Sequence, residues 1–302
     1  MALSALAIPL IFVFLWSTGF VGAALVAPYS EPLSILSLRF IGAAVVLLAF
    51  GLMIRGTWPS ARRAGLIFAS GLLIHGIYLS GVFWGIKNGM PSGVSALLMG
   101  LQPIVTAIAA SPLLGERVKA RHWAGLAIGL IGVALVISPR LTFGAVGITP
   151  ATLGAHGIAV AGIVFGSIFQ KRFVGQMDFK TEPGIQLLGG VAIALPVALL
   201  TESFHFVPSF ELAFGYLWMT LILSCGAFSL YMYLLQQGEA SKVAGLFYLV
   251  PVFAAVQGYL LFGETLTLVQ LLGMAITTAA VLIASDLIGR REEGHISAGK
   301  PS

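Results

Sequence analysis

Apolar stretches about as long as a bilayer is thick follow one another along almost the whole of this 302-residue chain. An α-helix needs about 20 apolar residues to cross the hydrocarbon core of a membrane. The gaps between the stretches are short and contain proline, glycine or charged residues. We predict one membrane-spanning helix for each stretch, at about residues 6–27, 33–54, 64–86, 92–114, 119–138, 152–174, 183–200, 212–236, 240–262 and 266–288.

The composition supports a membrane protein. Hydrophobic residues make up 58% of the chain and charged residues only 9%, whereas a soluble domain has about 25% charged residues. The stretches are continuously apolar rather than alternating, which argues against a membrane β-barrel. The fold class predicted is therefore an all-α polytopic membrane protein of ten transmembrane helices, with a polar and disordered tail at 289–302.

The lysines and arginines predict the orientation of the chain. Cytoplasmic loops of membrane proteins carry an excess of these residues. With the N-terminus in the cytoplasm, thirteen of them fall on the cytoplasmic side and only Lys87 and Arg140 on the other. We expect a multi-pass protein of the inner membrane with both termini cytoplasmic. The cytoplasmic set consists of Arg55, Arg62, Arg63, Arg117, Lys119, Arg121, Lys171, Arg172, Lys180, Lys242, Arg290, Arg291 and Lys300.

A short pattern of glycine and glutamate in the first half of the chain recurs in the second half. A Gly-Glu pair at 115–116 returns at 263–264, and each pair is followed by an apolar helix with internal glycines. Because each unit would contain five helices, the second copy must enter the membrane from the opposite side. The apolar helices repeat, but the basic residues between them do not, because basic residues stay on the cytoplasmic side. This is expected for an inverted-topology repeat. We predict two inverted five-helix repeats, at 6–138 and 152–288.

Two prolines occupy matching positions in these repeats. Pro103 and Pro251 each stand twelve residues before the glycine of the Gly-Glu pair. Within a helix, a proline leaves the carbonyl four residues earlier without its hydrogen bond, and here those carbonyls belong to Met99 and Phe247. A freed carbonyl in a membrane needs a protein or water partner. The prolines are therefore candidate hinges, and ordinary helix kinks are the alternative.

The Gly-Glu pairs themselves have a simpler interpretation. Glycine readily adopts the left-handed conformation that ends a helix. A glutamate directly after it would lie near the N-terminus of the next helix, where negative charge is favoured. The pairs would then be helix caps and nothing more.

The repeated proline–glycine–glutamate spacing resembles the EamA domain of the drug/metabolite transporter superfamily. The stretches FLWSTGFVG at 14–22 and EPLSILSLRF at 31–40 match the first such domain. The resemblance covers about residues 6–288, and the chain is most similar to the YddG-type exporters of aromatic amino acids and methionine. It implies an exporter with a cavity between the halves, lined by helices 1, 3, 4, 6, 8 and 9, with helices 5 and 10 outside it.

Polar and aromatic residues inside the predicted helices are candidates for the cavity wall. His75 lies near the middle of the third helix, and Tyr78 follows it on the same face. Ionisable groups within a membrane are costly and often functional, although a neighbouring helix could equally satisfy this histidine. The predicted substrate-binding set is Trp16, His75, Tyr78, Met99, Gln102, Phe247 and Tyr248.

This wall favours a neutral substrate with an apolar side chain. It offers aromatic and thioether surface with few fixed charges, so carbonyls, His75 and tyrosine hydroxyls would have to meet the ends of a zwitterion. Medium-sized neutral amino acids fit, and sugar phosphates do not. Arg39, inside the second helix, could bind a carboxylate or a lipid phosphate, but we favour a structural role because that helix should be peripheral.

Other classes of function find little support in the sequence. No phosphate-binding loop of the Gly-x4-Gly-Lys-Ser/Thr type is present, and the single cysteine, Cys225, excludes a cysteine-based metal site. We expect no cofactor, no metal and no enzymatic activity. The expected partners are a small-molecule substrate and the lipid bilayer, with no nucleic acid; the oligomeric state stays open, a monomer included. An integral-membrane enzyme acting on a lipid or small amphiphile, or a channel, is the alternative.

Overall fold

A computed structural model describes residues 2–90, 95, 98–116, 118–138, 148–238, 240–262 and 266–284, to which all structural statements below refer. These residues are almost entirely helical, and their β pairing is an isolated bridge between Ser30 and Phe206. Five helices are long and apolar enough to cross a membrane, namely Pro32–Met53, Ala61–Lys87, Pro150–Val174, Glu182–Thr201 and Phe210–Gln237. Shorter apolar helices accompany them, at Ala7–Gly19, Gln102–Leu114, Ala120–Val136, Lys242–Gln257 and Leu268–Ile283.

We number the helical segments α1 to α10 in chain order. In the first half they are α1 at Ala2–Val26, α2 at Pro32–Met53, α3 at Ala61–Lys87, α4 at Gln102–Leu114 and α5 at Ala120–Ile137, with a 3-10 turn at Ala27–Tyr29. In the second half they are α6 at Pro150–Val174, α7 at Glu182–Thr201, α8 at Phe210–Gln237, α9 at 240–262 and α10 at Leu268–Ala284. Each predicted apolar stretch overlaps one of these segments. The predicted tail at 289–302 and the second Gly-Glu pair lie outside the described residues.

Local sequence signals set several helix ends. The hydroxyl of Ser60 accepts the backbone N–H of Arg63 and caps α3. Thr149 and Thr152 form a reciprocal capping box at the start of α6. Gly115 ends α4 in the left-handed conformation, with φ of 70°, which confirms the predicted helix end.

The glutamate after Gly115 reaches the second half of the chain, which the capping interpretation did not predict. Glu116 forms an ion pair with Lys171 of α6 at 3.2 Å and accepts the backbone N–H of Ala240 at 2.8 Å. Ala240 begins α9, so the carboxylate stabilises a helix N-terminus in the other half of the molecule. Sequence proximity alone could not show this partner, because packing of the two halves supplies it.

Glycines allow the closest helix pairs to approach. A Cβ on Gly132 of α5 would lie 3.0 Å from the carbonyl oxygen of Gly273 in α10. A Cβ on Gly71 of α3 would lie 1.8 Å from the carbonyl oxygen of Gln186 in α7. Small residues drive this kind of packing in membranes, because lipid supplies no hydrophobic force between helices.

Two glutamates at matching positions tie each half to the other. Glu31, just before α2, accepts the backbone N–H groups of Ser203 at 2.9 Å and His205 at 3.0 Å, in the connection after α7. Glu182, at the start of α7, pairs with Arg63, at the start of α3 just after the connection from α2. Each half therefore uses the same position to hold the chain that follows the second helix of the other half.

Two helices contain π-helical stretches at corresponding places. One stretch covers Leu72–Ile77 within α3, and the other covers Trp218–Ala227 within α8. They contain His75 and Ser224, which correspond in the predicted repeat at an offset of 149. Such bulges are rare and frequently occur at functional sites.

Candidate functional site

A cavity of about 130 Å³ lies between helices of both halves. Its wall is mostly apolar and comes from α1, α2, α3, the start of α4 and the residues just before it, α8 and α9. The resemblance implies that α6 lines the cavity, but no residue of α6 is among the described lining residues. It does not include α2, which contributes a residue to the wall. The aromatic and thioether part of the wall consists of Trp16, Tyr78, Phe83, Met99, Phe228 and Phe247.

Most of the predicted wall residues meet at this cavity. Trp16, Tyr78, Met99, Gln102 and Phe247 all line it. Four of them come from α1, α3, α4 and α9, and Met99 comes from the residues just before α4, so the packing of both halves brings them together. Their role in binding a substrate stays a prediction.

His75 does not line the cavity, contrary to the predicted position. Its side chain is 1% exposed and lies behind the wall, where its ring centroid is 4.3 Å from that of Phe228 and 5.7 Å from that of Phe40. No described residue hydrogen-bonds its Nδ1. The π-helical stretch turns α3 so that Tyr78 faces the cavity and His75 faces the packed interior.

Tyr248 also points away from the cavity. It packs in a cluster with Ala107, Leu126 and Val133, against α5. A Cβ on Gly129 of α5 would lie 2.5 Å from the Tyr248 ring, so the glycine makes room for it. The 3-10 turn at Leu246–Tyr248 sends Phe247 towards the cavity and Tyr248 to the opposite side.

The two candidate hinge prolines lie next to irregular backbone: Pro103 follows a turn, and Pro251 lies within α9 just after a 3-10 stretch. Pro103 occupies the first turn of α4, directly after a turn at residues 100–101. Pro251 occupies the first turn of Leu249–Phe262, directly after the 3-10 turn. Proline is well tolerated in a first turn because those N–H groups have no helical partner. Pro251 lines the cavity and Pro103 does not.

The structure adds Arg39 of α2 to the cavity wall. Its side chain is 5% exposed, and its Nε donates a hydrogen bond to the Ser224 hydroxyl of α8 at 2.8 Å. It is the charged side chain among the described residues of the lining. The sequence analysis favours a structural role for Arg39 because it expects α2 to be peripheral. The cost of placing an arginine within an apolar helix is the sequence signal that could have identified Arg39 as a cavity residue.

Two residues of the cavity wall belong to an aromatic cluster, which we call the aromatic floor: Phe12, Trp16, Tyr231 and Phe247. Ring centroids within it lie 5.1 to 5.8 Å apart, in the range of favourable aromatic pairs. The hydroxyl groups of Tyr231 and Ser167 are hydrogen-bonded at 2.5 Å, which anchors the floor to α6.

Charged groups also join the ends of three helices. Lys171 pairs with Glu116 and also donates to the carbonyl of Gly238. Glu116 in turn accepts the first N–H of α9. This network lies where α4 and α6 end and α9 begins, so it fastens that face of the bundle. Among the described residues, no group of three histidine, cysteine or acidic side chains could hold a metal ion.

Apolar helices long enough to cross a membrane, with a cavity between them, define the class, a multi-pass membrane protein. Models of the EamA-like transporter family match residues 3–138 and 152–285. The chain therefore belongs to the EamA-like transporter family, and it is a multi-pass membrane transporter.

Individual relatives agree with this assignment. The chain is 31% identical over 265 residues to the "Uncharacterized inner membrane transporter YedA" of Escherichia coli K12, covering 84% of this chain and 81% of the relative. It is 26% identical to "Protein PecM" of Dickeya dadantii, covering 92% of each. It is also 26% identical to the "Probable amino-acid metabolite efflux pump" of Salmonella typhimurium, covering 91% and 92%.

The fold also resembles a solved structure. One solved protein chain superimposes with a TM-score of 0.76 at 18% identity, covering 95% of this chain and 99% of the other. At that identity the likeness concerns the fold alone.

Proposed function

We propose that this chain is a secondary transporter that exports small neutral metabolites, including aromatic amino acids and methionine, in the manner of the YddG-type exporters. The observation that carries the proposal is the cavity wall of aromatic and thioether side chains drawn from both halves. Burial in such a wall stabilises an apolar side chain by roughly 25 cal/mol per Å². The Salmonella relative named as an amino-acid metabolite efflux pump supports the same class of substrate.

The proposed mechanism is alternating access between two inverted five-helix repeats, at 6–138 and 152–288, that together make ten spans. The matching roles of Glu31 and Glu182 and the paired π-helical stretches support such a repeat. With both termini in the cytoplasm, the aromatic floor and the Glu116–Lys171 network lie on the cytoplasmic side of the cavity. The conformation described would then be closed to the cytoplasm, and the floor would have to separate before substrate enters from that side.

Counterflow in proteoliposomes tests the proposal. Vesicles loaded with unlabelled phenylalanine or methionine are expected to take up the labelled compound, because a carrier exchanges its substrate. Labelled glutamate should exchange poorly, since its side-chain carboxylate would enter an apolar wall. Preference for glutamate would contradict the proposed substrate class. Conversion of the label into a new compound would indicate an enzyme, and equilibration without counterflow would indicate a channel.

Variants of the wall make the test specific for the cavity. Trp16→Ala and Tyr78→Ala each remove aromatic surface from the wall and are expected to raise the half-saturation concentration for phenylalanine. Phe173→Ala is the matched control, because Phe173 is an exposed aromatic residue at the end of α6, away from the cavity. Equal effects of all three substitutions would place the substrate elsewhere.

A further inference from the structure

Arg39 is a buried cation without a protein anion. Its guanidinium has five N–H donors, and within the described residues only the Ser224 hydroxyl accepts one of them. No described carboxylate pairs with Arg39, and the side chain lines the cavity. A buried charge is costly unless it is paired, so the site has the chemistry to receive an anion from the cavity.

Comparison of the two halves argues against a purely structural role. If the fold itself required this arginine, the corresponding position of the second repeat should carry one too. At the offset of 151 that also relates Glu31 to Glu182, that position is Gly190. A Cβ on Gly190 would lie 2.8 Å from Cβ of His75. The Arg39–Ser224 pair therefore corresponds to a Gly190–His75 contact, which fills the equivalent space without a fixed charge. The asymmetry places one positive charge on one side of the cavity.

No described lining residue supplies the opposite charge. Besides Arg39, the polar side chains of the wall are neutral: Tyr78, Ser95, Gln102 and the indole of Trp16. A carboxylate would meet a planar guanidinium, which binds both of its oxygens in a fork. An ammonium group would meet only neutral acceptors and would lie in the same cavity as the arginine.

We propose that Arg39 binds the carboxylate of the transported compound and that the cavity does not require an amino group. The substrate class would then extend from apolar amino acids to apolar monocarboxylates that lack the amine. Ser224 holds the guanidinium in position through Nε, which leaves the terminal nitrogens for the carboxylate. This inference rests on the proposed transport of small metabolites and names the group by which the same cavity recognises them.

Three related compounds show whether the carboxylate or the amine of the substrate is recognised. They are L-phenylalanine, 3-phenylpropionate, which lacks the amine, and phenethylamine, which lacks the carboxylate. Binding to the purified full-length protein is measured by thermal stabilisation, independently of transport. The two carboxylates are expected to stabilise the wild type and phenethylamine is not. Stabilisation by phenethylamine equal to that by 3-phenylpropionate would overturn the proposal, and this comparison needs no variant.

Substitutions then test Arg39 itself. Arg39→Gln is expected to weaken binding of both carboxylates by at least about tenfold, because it removes one partner of a buried charge pair. Arg39→Lys should keep part of the affinity, since it retains the charge without the fork. Arg62→Gln, an exposed arginine at the start of α3, is the control and should bind normally. Unchanged binding by a folded Arg39→Gln protein would also overturn the proposal.

The readouts keep this inference apart from the proposed function. If the carboxylates bind through Arg39 but labelled phenylalanine shows no counterflow, the proposed transport of amino acids fails and the carboxylate site stands. If phenylalanine exchanges normally in the Arg39→Gln protein, the transport proposal stands and the carboxylate site fails.

Discussion

Single glycines of α3 differ sharply in what surrounds them. A methyl group on Gly71 would lie 1.8 Å from the Gln186 carbonyl oxygen, while a methyl group on Gly65 would meet nothing within 4 Å. Both residues are helical, so alanine should favour the helix equally at the two positions, by roughly 1 kcal/mol over glycine. The difference between the two substitutions therefore isolates the packing of α3 on α7.

We expect Gly71→Ala to lower the melting temperature of the purified protein and Gly65→Ala to leave it unchanged or raise it. The clash is with backbone of another helix, and overpacking of this kind typically costs about 1–3 kcal/mol. Thermal unfolding in detergent, followed by circular dichroism, provides the measurement. A Gly71→Ala protein as stable as Gly65→Ala would contradict the close approach of the two helices.

Glu31 should make the stability of the folded protein depend on pH, through its contact between the two halves. The backbone N–H of His205, together with Ser203, holds the pKa of this carboxyl below its ordinary value. A carboxylate with a lowered pKa stabilises the folded state above its ordinary pKa, and the stabilisation is lost as the pH falls through the lowered pKa.

Glu31→Gln is therefore expected to reduce the melting temperature at neutral pH, by an amount that shrinks as the solution is acidified. At a pH below the lowered pKa the two proteins should melt alike. Melting curves recorded from pH 7 downwards measure the difference, with Glu211→Gln as control because no described residue hydrogen-bonds that carboxylate. A difference that stays constant with pH would show that the Glu31 contact is not ionic.

At the scale of helices, the position of each element could be predicted from the sequence, but its rotation could not. The length of the apolar stretches and the glycines and prolines between them locate the helices, because a bilayer constrains both helix length and where a helix can end. Which face meets the cavity depends on packing between the halves. His75 and Tyr78 lie three residues apart and were assigned to one face, and the π-helical stretch separates them. Arg39 was assigned to the periphery, because no pattern within α2 distinguishes a lipid face from a cavity face.

The prolines at the two helix breaks belong to this scale. Pro103 lies in the first turn of α4, and Pro251 lies in α9 directly after its 3-10 stretch. Alanine would restore an N–H at both positions and allow each helix to continue through the break. If the breaks are hinges, the continuous helices should resist the rearrangement that opens the floor.

The double variant Pro103→Ala with Pro251→Ala is accordingly expected to fold and to transport more slowly. Initial rates of counterflow measure the effect. The control is Pro196→Ala, which changes a proline within α7, away from the cavity. Wild-type rates in the double variant would reduce both prolines to helix-starting residues.

For the whole molecule, the proposed inverted repeat predicts on which sides of the membrane two connections lie, the one after α2 and the one after α7. The chain after α2 and the chain after α7 occupy corresponding places, and each is held by a glutamate of the other half. In an inverted repeat, they must lie on opposite sides of the membrane. The bias in basic residues further predicts which side is which, with Arg62 cytoplasmic and His205 outside.

Single cysteines at these two positions test the topology, after Cys225 is replaced by serine. Both Arg62 and His205 are exposed, so a reagent can reach a cysteine at either place. A membrane-impermeant maleimide is expected to label His205→Cys in intact cells, and Arg62→Cys only after permeabilisation. Labelling of both from the same side would disprove the inverted repeat. Labelling of Arg62→Cys alone from outside would keep the repeat but reverse the orientation, so that both termini would lie outside and the aromatic floor would close the external face of the cavity.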